Sequence, residues 1–525
     1  MEVKPRVSPG TIALAIDVGT SNTCGYYYDG MGSGPQPLSF FNGSHILPSY
    51  VEYKADCINP IVGEVAKKDF CRHNRYVVAN SKRLIGRRFR DENTQKFLTH
   101  CGVHVEECHG KPLYSIPELG VNVTPVDVVS EIIRAVSHVA EDLSGKRIDD
   151  LLITYPAHFD NNQRTATLNA AVKAGFDMKK VKMLNEPTAA AICYGLQNDT
   201  DNNCILVYDL GGGTFDVSIL RPTKGGFEVE TCDGDNALGG ADFDQIIADW
   251  FENEYQRINH RPLDTLPSEN IRSRYRRRLY AIAEEAKEQL LFRDEVDVDL
   301  SFMRVQTKDE QKGDVVFTRD TLNRLLEPLI EHTMEIVRRA MERIHVTKND
   351  ISHVVLVGGS SRLQLVVRKL EYEFGEEKLK RTVNPDECVA EGGCLALIYK
   401  YNIQERIAYS LGQLVKGGRI LCVIPRWEAL PAKFTATTKT SCNYMVRAST
   451  GVFQGKCEVY EQTEDIKDCI ELESFTFDGF QCKREGEVEF DTTYYIQENG
   501  IVYVTIVEKK TGKVLLNNKM IQWQD

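Results

Sequence analysis

The sequence predicts an α/β fold built from two similar lobes and followed by an all-β domain. Two loops far apart in the chain, Asp17-Val18-Gly19-Thr20-Ser21-Asn22 and Asp209-Leu210-Gly211-Gly212-Gly213-Thr214, share one chemistry: an apolar run, an aspartate, then glycines and hydroxyls. The runs leading in, residues 12–16 and 205–208, are the continuous apolar kind that fills the middle of a covered sheet. A third such run, 354–357, opens on Gly358-Gly359-Ser360-Ser361-Arg362. Glycines let backbone N–H groups turn toward an anion, and the hydroxyls add donors. The repeat therefore predicts a duplicated fold that closes on a nucleotide from both sides.

Up to about residue 400, short apolar strands alternate with amphipathic helices, expected at 125–143, 161–174, 245–258 and 319–344. From Leu411 onward the pattern changes to strands, expected at 456–460, 487–495 and 501–507, with Asn499-Gly500 as a hairpin signal. At 525 residues and 42% apolar content the chain is long enough for two or three globular units. It holds no apolar stretch of membrane-spanning length, and its start, Met1-Glu2-Val3-Lys4-Pro5-Arg6, has no secretory apolar region. A cytosolic location without membrane contact is expected. Its 15 cysteines are scattered, odd in number and free of any Cys-x-x-Cys, so reduced thiols are expected. A net charge of −12 argues against nucleic acid as a partner, and the arginines of 272–278 read as a solvated helix face. The cluster His100, Cys101, His104, Cys108 and His109 fits no zinc spacing and reads as a surface strand.

Five segments in order resemble the heat shock 70 kDa (DnaK-type) chaperone family, within the actin-like ATPase superfamily. They are Ile16 to Asn22, Lys82-Arg83-Leu84-Ile85-Gly86-Arg87, Asn185-Glu186-Pro187-Thr188-Ala189, Asp209 to Ser218 and Gly358 to Arg362. The resemblance implies an actin-like ATPase unit over 1–400, a linker at 401–410 and a β-sandwich peptide-binding-like unit over 411–525, with no helical lid. It implies ATP/ADP and Mg²⁺ as cofactors and slow ATP hydrolysis, a reaction that needs charge neutralisation and an oriented water. Asp17 and Asp209 would organise Mg²⁺, Lys82 would reach the γ-phosphate, and Glu186 would help position the water, with Thr214 beside them. Gly19, Thr20, Ser21, Asn22, Gly211, Gly212, Gly213, Phe215, Gly239, Gly240, Gly358, Gly359, Ser360, Arg362 and Asp386 would complete the nucleotide site. Glu284, Lys287, Glu288 and Leu291 share one helical face on the adenosine side. There Glu288 stands where the family usually has an arginine and Leu291 where it has a serine, so weaker nucleotide binding is expected.

Further departures concern the chaperone output. The segment Tyr401 to Tyr409 replaces the family's acidic, leucine-rich linker, and Gly455, Lys456 and Cys457 fall where aliphatic residues line its peptide pocket. ATP is therefore expected to shift ligand affinity of the β unit by less than tenfold, about 1.4 kcal/mol. With no helical segment following the β strands in this sequence, a bound peptide is expected to exchange quickly. The expected function is that of an ATP-dependent chaperone acting on unfolded or client polypeptides with J-domain and nucleotide-exchange partners. A nucleotide-switched adaptor or co-chaperone binding one defined protein is the alternative. A metabolic kinase on the same superfamily fold explains neither the β strands nor the motif strings.

Overall fold

Two six-stranded mixed sheets repeat one topology. In the first, the strand Thr11–Val18 lies between its parallel neighbour Arg147–Tyr155 and its antiparallel neighbour Asn22–Tyr28. In the second, Cys204–Leu210 lies in the same way between the parallel Ile351–Val357 and the antiparallel Phe215–Thr223. Asp17 thus pairs with Cys24 and Asp209 with Asp216 in equivalent registers, each aspartate near the carboxyl end of a central strand. Such strand ends, with their turns, are where α/β sheets place ligands. The computed structural model of the protein describes residues 7, 10–31, 34–55, 59–71, 76–99, 103–195, 203–259, 269–303, 314–415, 419–455 and 469–522.

The expected helices form, but Asn161–Lys173 is buried nearly all round, polar residues included, and is not amphipathic as expected. Pro125–Ser144 begins at a Thr124/Asp127 capping box and ends at Gly145, whose φ of 63° suits a residue without a Cβ. Asn161–Lys173 begins at a second capping box, Asp160/Gln163. Gly240–Asn259 starts earlier than the sequence suggested, since the Gly239-Gly240 turn leads directly into the helix. Arg319–Arg343 matches its expected span, with Pro328 inside it. The lobes meet where Glu186–Cys193 packs on Cys388–Ile398. A Cβ at Gly392 would lie 2.6 Å from the Ala189 carbonyl carbon, so only glycine permits this approach.

One expectation here needs correction. Within Glu269–Gln289, Arg274, Arg276 and Arg278 are exposed, but Arg277 turns inward to 8% exposure, because one residue of any such run must face the lobe. Val105–Cys108 is a strand, as expected, while His100 and Cys101 lie outside the described residues. Among the described residues no group of three or more His, Cys, Asp or Glu is placed to hold a metal by itself.

After residue 410 come two four-stranded antiparallel sheets. Their orders are Arg419–Ile424, Ser410–Val415, Arg447–Gly455, Ile470–Asp478 and Ala432–Lys439, Glu489–Ile496, Val502–Glu508, Val514–Met520. They share one apolar cluster, in which Phe477, Phe480 and Phe490 pack edge to face or tilted at 4.7–6.0 Å. The hairpin expected at Asn499-Gly500 joins Glu489–Ile496 to Val502–Glu508, with Gly500 at φ 76°. The strand expected at 456–460, with Lys456 and Cys457, lies outside the described residues.

The segment between the two architectures does not run free. Asn402–Gln404 adds in parallel to the edge strand Gly226–Asp235 as the sixth strand of the second sheet. Glu405, buried, accepts hydrogen bonds from Asn185 Nδ2 at 2.5 Å and Thr188 Oγ1 at 2.7 Å. Arg406 donates to the Val229 carbonyl at 2.8 Å and pairs with Glu228 at 2.7 Å. The unusual side chains of 401–409 do not prevent docking, because strand addition runs through backbone groups that every residue carries.

Candidate nucleotide site

The aspartate loops face each other across a cavity of about 320 Å³ between the lobes. Their fit is close: a Cβ on Gly213 would meet Thr20 Cγ2 at 2.7 Å, and one on Gly239 would meet the Gly213 amide nitrogen at 2.6 Å. Glycines thus let the two loops and the start of Gly240–Asn259 interleave. Of the residues singled out in the sequence, Gly213, Gly239 and Phe215 do not line the cavity. The two glycines sit behind its wall. Phe215 is a correction: its ring is fully buried, 4.8 Å from that of Tyr208, because the chain has already re-entered a strand with that side facing the core. All the others line the cavity.

At one end four charged groups converge. Lys82, in a single 3-10 turn entered through the left-handed Asn80 (φ 57°), reaches Glu186 Oε1 at 2.7 Å. Glu186 begins its helix with Pro187 behind it, at the end of the strand Val181–Asn185. Thr154 donates to Asp17 Oδ1 at 2.9 Å. Burial pushes Glu186 up to about 7 against the pull of Lys82, and raises Asp17 likewise. Burial, reinforced by Glu186, Asp216 and Asp17, pushes Asp209 well above the usual carboxylate range. Burial opposes the charge on Lys82, but Glu186, Asp17 and Asp209 outweigh it and hold the ammonium above its ordinary value. Two buried carboxylates, Glu186 and Asp209, and the half-buried Asp17 thus share one ammonium. A hard divalent cation with oxygen ligands fits this surplus of negative charge, and the glycine-lined amides beside it fit phosphate oxygens.

Away from the carboxylates, Lys287 pairs with Asp244 at 2.6 Å and Glu284 with Lys67 at 2.9 Å, all four largely buried or half-buried. Burial pushes Asp244 up to about 7 although Lys287 pulls the other way. Arg362 is held by Asn384 and by Asp386, the latter at 2.6 Å. Sequence reasoning missed Thr154, Asp244, Lys67 and Phe292. The first three are ordinary residues on distant elements with no local signature, and Phe292 follows directly on the quartet that was singled out.

The family described as Hsp70 protein matches residues 13–521. This chain belongs to the Hsp70 family. It is 34% identical over 514 residues to the chaperone protein DnaK of Deinococcus proteolyticus, covering 95% of this chain and 77% of that protein. Identity to the chaperone protein HscA of Proteus mirabilis is 34% over 510 residues, with 95% and 77% covered. A ribosome-associated molecular chaperone of Eremothecium gossypii is 31% identical over 519 residues, with 95% and 80% covered. The family is one of ATP-hydrolysing chaperones that bind ATP or ADP with Mg²⁺, and its architecture, actin-like lobes plus a β sandwich, agrees with the sheets described above. This Hsp70-family chain is an ATP-dependent chaperone and an ATPase; the adaptor alternative is not favoured. As a chaperone it works with client polypeptides and co-chaperones in general.

Proposed function

We propose that the cleft between the lobes hydrolyses ATP through Lys82, Glu186, Asp17, Asp209 and Thr214, and that residues 1–400, 401–410 and 411–525 act as ATPase unit, connecting arm and client-binding unit. The observation that carries this reading is the Lys82–Glu186 pair at 2.7 Å beside Asp17 and Asp209, where the two glycine loops interleave. Asp17 and Asp209 would hold Mg²⁺ with part of its water shell, since magnesium dehydrates reluctantly and suits a few carboxylates. When bound, the ion neutralises phosphate charge. Lys82 stabilises charge that develops on the transferred group, and its preorganisation by Glu186 spares reorganisation during the reaction. Glu186 orients the attacking water by accepting its hydrogen bond. Thr20, Ser21 and Thr214, with the loop amides, bind phosphate oxygens.

The finer partners follow from the same reading. A J-domain protein docks near Lys182, which pairs with Asp150 at 3.0 Å on the edge strand of the first sheet, and a nucleotide-exchange factor reopens the lobes. Unfolded segments of client polypeptides occupy the β sandwich, and the protein works in the cytosol. No described helix is long and apolar enough to cross a membrane. Single-turnover ATP hydrolysis, with and without a model peptide and a J-domain, tests the proposal. Stimulation by both together is expected. Hydrolysis absent under every condition would sink the catalytic assignment.

A further inference from the structure

The helix Glu269–Gln289 delivers Glu284 and Lys287 into the cavity and then stops. Two tight turns follow: the Leu291 amide donates to the Glu288 carbonyl at 3.2 Å and the Phe292 amide to that of Gln289 at 3.0 Å. They put the Phe292 ring at the cavity wall, 84% exposed. Phe292 alone among the exposed large apolar residues described lines this cavity. Isolated exposed apolar side chains are ordinary, so the location carries the argument.

The other large apolar side chains that line the cavity are not aromatic: Val357, Leu363 and Val389 are buried, and Ile46, Leu291 and Pro385 are half-buried. The glycines of the loops offer no side chain. Lys287 and Glu284 are held in ion pairs with Asp244 and Lys67, and Glu288, a carboxylate near Glu284 and Asp386, offers no cation to stack on a base from that side. Arg362 enters from the Gly358 turn, its guanidinium fixed by Asn384 and Asp386. A purine needs a flat apolar partner, and aromatic rings stack on bases with little regard to hydrogen-bond pattern.

We propose that Phe292 is the stacking platform for the purine base of the bound nucleotide, with Arg362 as the second base-facing group, in place of a stack between two guanidinium groups. This rests on the reading that the cleft holds ATP with its phosphates at the two glycine loops. Phe292 is a positioning residue for the nucleotide, and it contributes to base binding without touching the phosphates. Because stacking reads shape rather than hydrogen bonds, ATP and ITP bind with similar affinity.

The test is calorimetric titration of the full-length chain with Mg-ATP, Mg-ITP and Mg-tripolyphosphate, for wild type, Phe292→Ala, Phe292→Trp and, as an exposed control elsewhere, Tyr372→Ala. The expected result is a loss of about tenfold in affinity for both nucleoside triphosphates in Phe292→Ala, a typical stacking contribution. Tripolyphosphate binding is expected to stay unchanged, with affinity recovered in Phe292→Trp and unaffected in Tyr372→Ala. An unchanged ATP affinity in Phe292→Ala, or an equal loss for ATP and tripolyphosphate, overturns the assignment. A wild-type chain that binds tripolyphosphate no better than a Thr20→Val, Thr214→Val double variant overturns the underlying reading of the cleft, and the role of Phe292 with it.

Discussion

The nucleotide cleft and the seam between the lobes and the β sandwich are both closely packed, yet they are specified in different ways. In the cleft, specific side chains do the work: a lysine, three carboxylates and hydroxyls, set at strand ends by two loops that only glycine allows to interleave. At the seam, many of the groups that are recognised are backbone groups. Asn402–Gln404 pairs along an open sheet edge, Tyr155 donates to the Asn499 carbonyl at 3.2 Å, and Asn161 brackets the Val502 amide and Ile521 carbonyl at 3.0 and 2.9 Å. Side chains add local locks, such as Trp427, whose ring has the guanidinium groups of Arg343 and Arg426 over it at 4.7 and 4.4 Å. A site of the first kind leaves a motif in the sequence. One of the second kind tolerates drift in side chains while keeping its geometry.

The largest expected effect breaks the cleft at its charged end. Lys82→Ala should retain ATP binding and lose at least about 100-fold in single-turnover hydrolysis, the scale of losing a preorganised electrostatic contact. An unchanged rate would mean that Glu186 and Lys82 pair for structural reasons alone. Next comes the backbone of the same site. Gly239→Ala drives a Cβ into the Gly213 amide, which has no flexible end to move aside, so ATP affinity should fall by more than about tenfold, read by titration against a wild-type melting control.

The seam yields the next two. Glu405→Ala leaves the Asn185 amide and the Thr188 hydroxyl without their buried acceptor, at a cost of about 1–3 kcal/mol to docking. Hydrogen exchange should rise at Asn402–Gln404 and stay unchanged in the strand Thr11–Val18. Gly500→Ala should act in the same direction, since its positive φ disfavours a side chain and a Cβ there would lie 2.7 Å from the Arg164 guanidinium carbon. The same seam sharpens the question of coupling. Side-chain comparison of residues 401–409 favours an ATP-dependent change in peptide affinity below tenfold. The docked arm, bonded at Asn185 immediately before Glu186, joins the nucleotide site to the β sandwich by direct contacts, so a change above tenfold would be routed there. Peptide titration with and without ATP separates the two, and Glu405→Ala should abolish whatever difference exists.

The smallest effect lies at the base end of the cleft. Restoring the family residues with Glu288→Arg and Leu291→Ser together should tighten ATP binding by roughly 0.5–2 kcal/mol if the new cation stacks on adenine. No gain in calorimetric titration would indicate that the base is already held by Phe292 and that the helix end has settled on a different solution.

By itself the sequence determined the duplicated α/β plan, the helices Pro125–Ser144, Asn161–Lys173 and Arg319–Arg343, and the charged end of the cleft. The plan and the helices rest on local chemistry, continuous apolar strands, amphipathic stretches and aspartate–glycine–hydroxyl turns, whereas Lys82 and Glu186 are identified through resemblance to the heat shock 70 kDa family. Tertiary structure alone decided which ordinary residues join them. Thr154 and Asp244 carry no local signature and matter only because folding brings them to Asp17 and Lys287. Phe215, adjacent to a phosphate-loop motif, faces the core because strand alternation outranks proximity in sequence. The polar start of Asn161–Lys173 is buried because the β sandwich covers it, which no pattern within the segment foretells. The docking of Asn402–Gln404 was invisible for the most general reason: hydrogen bonds to a sheet edge are made by peptide groups, which are the same whatever side chains they carry.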